Sequence, residues 1–193
     1  MFSVRIHGRG GQGAVTSAEM LSVAAFDQGM HAQAFPSFGS ERTGAPVVAF
    51  CRIDARPIRA HDPVSEPDAV IVQDPTLMRI VPVLAGLPAD GFVLVNSSRP
   101  FDDLGVDDLV SGLDPGRLVT VPATELSRQV LGRALPNTAL LGGFAALTGV
   151  VTLDAVQDAI RQRFDGDVGQ ANAEVARLAH DHVRTTIGGG VRA

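Results

Sequence analysis

At 193 residues the chain has the length of one ordinary domain with some excess, and its 45% hydrophobic and 19% charged content excludes a disordered protein and allows a sizeable core. A net charge of −5, with the acids scattered along the sequence, offers no basic patch to a nucleic-acid backbone. All 16 Lys-plus-Arg positions are Arg, and Cys51 is the one cysteine, so Schiff-base and phosphate-loop lysines, an internal disulfide and a four-thiolate iron–sulfur cluster are all excluded for this chain alone.

Phe2, Val4 and Ile6 alternate with Ser3, Arg5 and His7, the period of a strand with one apolar face. A sharp glycine turn follows, and Ala14, Ala18, Leu21 and Ala25 then share a helical stripe that Gly29 ends. Residues 31–35 read as a second strand and residues 36–46, rich in Gly, Pro and hydroxyls, as a loop. Residues 47–53 read as a strand that the turn at 54–57 sends back into a partner at 58–61. Such a hairpin makes the sheet mixed. Short apolar runs at 69–72, 92–95 and 117–121 have the signature of strands buried on both faces, and a helix is expected to start at Thr76.

From Ala123 onward the pattern is helical. Leu153, Val156, Ile160 and Phe164 form one stripe, with Val175, Leu178, His182 and Ile187 near another. These helices are expected to cover one face of the sheet. The expected organisation is a single domain over residues 1–187 and a flexible tail over 188–193. Residues 1–9 lack the features of a signal peptide, and no segment approaches ~18 uninterrupted apolar residues, so no membrane span and a cytoplasmic location are expected.

Gly8, Gly10 and Gly13 fit a G-x-G-x-x-G pattern at a strand-to-helix turn, where backbone N–H groups can approach a phosphate. A nicotinamide site also needs an acid at the end of the second strand, but Ala34-Phe35-Pro36 stands there and Asp27 falls on the helix. A tight packing turn without ligand therefore stands beside phosphate binding, with Gln12 available to orient a ligand or a partner loop. Ser37, Ser40 and Thr43 flank Glu41 and Arg42, a set that suits either an anion or a plain surface turn. His7 reads as a strand cap, His180 and His182 as a poor metal pair, and Cys51 as a small buried residue.

The string Arg5-Ile6-His7-Gly8-Arg9-Gly10-Gly11-Gln12-Gly13, together with Phe35-Pro36-Ser37-Phe38-Gly39-Ser40-Glu41-Arg42-Thr43-Gly44-Ala45-Pro46-Val47, resembles the gamma subunit of the pyruvate and related 2-oxoacid:ferredoxin oxidoreductases. Glu66-Pro67-Asp68 and the segment 70–75 resemble the family's next stretch. The resemblance implies one subunit, inactive alone, of an enzyme that decarboxylates a 2-oxoacid, pyruvate being the expected one, forms an acyl-coenzyme A and passes electrons to ferredoxin. It places thiamine diphosphate and the iron–sulfur clusters on partner subunits, and has this chain bind no cofactor by itself while helping to form the coenzyme A region.

The expected fold is a three-layer α/β/α domain with a mostly parallel, mixed sheet. The expected functional edge carries Gly8, Arg9, Gly10, Gly11, Gln12 and Gly13 beside Ser40, Glu41, Arg42 and Thr43, with both loops at the carboxyl ends of neighbouring strands. A stand-alone nucleotide-binding oxidoreductase and a purely structural assembly subunit are the alternatives.

Overall fold

The computed structural model describes residues 1–37, 43–60 and 62–189. In chain order it contains β1 (Phe2–Arg9), α1 (Ala14–Asp27), β2 (His31–Pro36), β3 (Pro46–Asp54), β4 (Ala69–Val72), β5 (Phe92–Asn96), α2 (Asp107–Val110), β6 (Leu118–Val121), α3 (Ala123–Leu131), α4 (Asn137–Thr148), α5 (Leu153–Arg163) and α6 (Gly166–Gly189). Six strands form one sheet in the order β2-β3-β1-β4-β5-β6. β1, β4, β5 and β6 are parallel neighbours, while β3 is antiparallel to both β1 and β2. The α/β class and the mostly parallel, mixed sheet are as expected.

The source of the mixing differs. β3 has β1 on one edge and β2 on the other, so no hydrogen-bonding edge remains for residues 58–61. Residues 58–60 are irregular, and His61 lies outside the described residues. Arg52 fixes this segment instead, donating from Nη2 to the Asp62 carbonyl at 2.7 Å.

Val4 and Ile6, Ala49, Cys51 and Ile53, and Ile71 and Leu94 face a core shared with α1, α4, α5 and α6. The opposite face of β4 and β5, Val70, Val72, Val93 and Val95, packs against Leu77, Met78, Val83 and Val106. This second layer is thin, made of 3-10 turns at Pro75–Arg79, Phe101–Leu104 and Pro115–Arg117 plus the single turn of α2. The helix expected from Thr76 is one of those turns. Asp74 caps it by accepting from the Thr76 N–H at 3.0 Å, and Pro82 bars its continuation because proline disfavours helical backbone in the residue before it.

In α5, Val156 and Ile160 are buried as expected. In α6 the buried stripe is Ala173, Val175, Ala176, Ala179 and Val183, and His182 is exposed. Of the expected stripe Val175 is buried, but small residues fill most of this seam because α4 approaches closely at Gly142. A Cβ there would meet the backbone of Ala176. α6 continues to Gly189, and the rest of the tail, residues 190–193, lies outside the described residues. Among the described residues no helix is long and apolar enough to cross a membrane.

Candidate functional site

At the end of β1 the chain enters the glycine loop. Gly10 forms a parallel bridge with Thr43, donates from its N–H to the Ala45 carbonyl at 2.9 Å, and accepts from the Gly44 N–H at 3.2 Å. The two candidate loops therefore touch. Contrary to the expectation of neighbouring strands, β3 stands between β1 and β2. They nonetheless run in the same direction, which brings both loops to one edge. Thr43 is described there; Ser40, Glu41 and Arg42 lie outside the described residues.

The glycines divide the work. Gly11 (φ 95°) and Gly13 (φ 78°) hold left-handed backbone, which strongly favours glycine. A Cβ on Gly11 would meet nothing, but one on Gly13 would lie 2.9 Å from Nδ2 of Asn137, and one on Gly8 would collide with the Gln73 side chain. Gly8 and Gly13 thus serve close packing. Gln12 closes the loop on itself: its N–H donates to the Arg9 carbonyl at 2.9 Å, and its Oε1 accepts from the Arg9 N–H at 2.8 Å.

Arg9 reaches from the end of β1 to the segment that follows β4. Its Nε donates to Asp74 at 2.6 Å, Nη1 to the Gly44 carbonyl at 3.0 Å, and Nη2 to Thr76 Oγ1 at 2.8 Å. Burial works to raise the Asp74 pKa, but hydrogen bonds from Thr76 and Arg9 outweigh it and hold the carboxyl below its usual range. Arg9 thereby ties three loops together.

Between the glycine loop and the β2–β3 loop lies an open cleft of about 700 Å³ bordered by Gly10, Gly11, Ala14, Thr16, Ser37 and Val47. The first turn of α1 faces it, and Gly13 provides no side-chain cap for that helix. Uncapped N–H groups at a helix N-terminus favour an anion or the carbonyls of another chain. A dinucleotide fits poorly. The two strands joined by α1 are separated by β3, and Asp27 ends α1 in a 2.8 Å bond from Gln162, so among the described residues no acid stands where a ribose needs one.

His7 is not a strand cap. It lies within β1, 5% exposed, and its Nε2 accepts from Arg5 Nε at 3.1 Å, so the neutral ring carries its proton on Nδ1. Arg5 in turn donates to the Val64, Val83 and Ala85 carbonyls at 3.3, 2.8 and 2.6 Å. Burial first and the Arg5 charge second push the His7 pKa down to about 4, against a smaller opposing pull from the Val83 carbonyl.

The unfolded chain then binds more protons than the folded one between pH 6.5 and 4, so stability is full above this window and falls as pH falls through it. By about pH 5.5, on the order of 1 kcal/mol should be gone. Thermal unfolding of the isolated chain against pH checks this. His7→Gln should flatten the slope, and an unchanged slope would show that His7 does not titrate as described.

Cys51 is fully buried in β3, which pushes its thiol pKa up to about 12. Such a thiol does not fit an iron–sulfur ligand, and among the described residues no group of three or more His, Cys, Asp or Glu is placed to hold a metal ion. His180 lies 3.5 Å from its neighbour Asp181.

Residues 3–182 match the family described as pyruvate ferredoxin/flavodoxin oxidoreductase. The chain is similar to the pyruvate/ketoisovalerate oxidoreductases common subunit gamma of Thermococcus kodakarensis, 48% identical over 93% of this chain and 95% of that one. Pyruvate synthase subunit PorC of Methanothermobacter thermautotrophicus is 45% identical over 95% and 96%. The crystal structure of pyruvate oxidoreductase subunit PORC from Thermotoga maritima superposes with a TM-score of 0.80 at 36% identity, covering 93% of this chain and 95% of that one.

Proposed function

The chain belongs to the pyruvate ferredoxin/flavodoxin oxidoreductase family as a gamma-type subunit, and from this premise we propose that its edge at Gly10, Gly11 and Thr43 forms part of the coenzyme A region of the assembled enzyme. The observation that carries the reading is the contact between the two loops through Gly10 and Thr43, beside an open cleft that receives an uncapped helix N-terminus. Phosphate-bearing coenzyme A is the anion the reaction class supplies.

In this reading the chain binds no redox cofactor of its own. Thiamine diphosphate and iron–sulfur clusters sit on partner subunits, ferredoxin takes the electrons, and the complex works in the cytoplasm. A relative whose name marks it as common to pyruvate and ketoisovalerate enzymes supports a subunit that leaves the choice of 2-oxoacid to its partners. The interposed β3 weighs against a stand-alone dinucleotide enzyme.

The isolated chain is expected to be colourless and to show no turnover of pyruvate with an electron acceptor, activity returning when the partner subunits are added. Turnover by this chain alone would sink the reading. Within the assembled enzyme, Arg42→Ala should lower activity about tenfold with little change in melting temperature, because a guanidinium fork set in sequence among hydroxyl residues suits recognition better than packing. Equal activity with a sharply lower melting temperature would make Arg42 a structural residue.

A further inference from the structure

Behind the glycine loop, α4 opens onto a second cleft, of about 540 Å³, whose walls include Leu131, Leu135, Phe164 and Val168 and whose lining includes Asn137. Val168 is 58% exposed, a large apolar side chain left in water. Asn137 is only 7% exposed, yet among the described residues its amide makes no hydrogen bond. Its neighbours are satisfied: Thr138 Oγ1 donates to Asn172 Oδ1 at 3.1 Å, and Asn172 Nδ2 donates to the Val168 carbonyl at 2.9 Å. What accessibility Asn137 keeps is on the cleft it lines, so its amide stands free of the chain's own hydrogen bonds and open to a docked group.

The chemistry of that partner is constrained. An amide offers one acceptor and two donors, which matches the carbonyl and N–H of a peptide group. The apolar walls suit an aliphatic or aromatic side chain. Arg133 and Asp167 stand exposed beside the same cleft, with neither ion pair nor hydrogen bond among the described residues. One charge of each sign suits a neutral segment and disfavours a polyanion.

We propose that this cleft receives an extended peptide segment of another subunit of the same complex, seating one apolar side chain between Leu131, Phe164 and Val168 while its backbone hydrogen-bonds to the Asn137 amide. The proposal rests on the gamma-subunit reading. Asn137 also packs against Gly13, its Nδ2 being the nearest atom to where a Cβ on that glycine would stand, so the docked segment lies directly behind the glycine loop.

The test measures the affinity of the purified full chain for the remaining subunits of the enzyme, with Val168→Asp and Asn137→Leu as variants. Each should weaken association about tenfold or more, a loss of about 1.4 kcal/mol, while the melting temperature of the isolated Val168→Asp chain stays unchanged. Should Asn137→Leu unfold, Val168→Asp at its exposed position carries the test. Wild-type affinity in a folded Val168→Asp variant overturns the proposal, as does coenzyme A binding to the isolated chain that Val168→Asp abolishes, which would make the cleft a small-molecule site. Failure of the unaltered chain to associate overturns the subunit reading itself, and this proposal with it.

Discussion

Gly142→Val is expected to prevent the chain from reaching its native packing, with a loss of roughly 3–5 kcal/mol in any fraction that folds. In the native fold a Cβ at position 142 would run into the Ala176 carbonyl and stand 2.8 Å from the Ala176 Cα. These atoms are backbone of the facing helix, so no rotamer change can clear them, and α4 and α6 must separate. Separation opens the core around Leu141 and Phe144, each 1% exposed, and a packed interior has few ways to refill such a gap.

The next residue provides the contrast. A Cβ on Gly143 would meet side-chain methyls of Val121, Leu94 and Val183 at 3.2 to 3.4 Å, which can shift by a few tenths of an ångström, so Gly143→Ala should cost only about 1 kcal/mol. Denaturant unfolding of both variants checks the pair. Equal stabilities would mean that the α4–α6 seam is looser than described.

The strands and helices that depend on local pattern were legible in the sequence. β4 is a four-residue apolar run and β5 carries another at 92–95, a pattern that requires burial on both faces, and β1 alternates as a half-apolar strand should. Pairing is another matter, because it is set by contacts distant in sequence. Nothing in residues 46–54 says that β3 slots between β1 and β2, and that choice moved the antiparallel contact away from 58–61. Of the α6 seam only Val175 was legible, for a related reason: bulky residues dominate a periodicity count, whereas close helix approach selects Ala176 and Ala179.

Of the candidate site, the two loops stood out by composition, and their meeting through Gly10 and Thr43 follows from strand direction rather than from any spacing. Left-handed backbone falls at Gly11 and Gly13, and of these only Gly13 belongs to the fingerprint pattern. Asn137 was invisible in the sequence because its isolation arises from three helices and a loop converging on it.

Gly10→Val in the assembled enzyme should lower kcat/KM for coenzyme A by about a hundredfold, the scale on which displacing a reactant from its productive position acts, while 2-oxoacid decarboxylation, which the proposed division of labour gives to a partner subunit, changes little. The residue suits the test because Gly10 is not among the glycines with left-handed backbone. It bridges to Thr43 in an extended arrangement, which valine adopts readily, so its bonds to Ala45 and Gly44 can persist. The added branch would instead narrow the cleft that Gly10 borders and hold a phosphate-bearing ligand away from the α1 N-terminus. Val at Gly13 would confound the experiment, since it strains a φ of 78° and presses on Asn137 besides. Coenzyme A dependence, decarboxylation and unfolding are to be measured on the same preparation. A selective rise in the apparent KM for coenzyme A supports a ligand at this edge. A parallel fall in both partial reactions, with the melting temperature and subunit affinity intact, would place a partner loop there; loss of folding without selectivity would leave the glycine loop as a packing device.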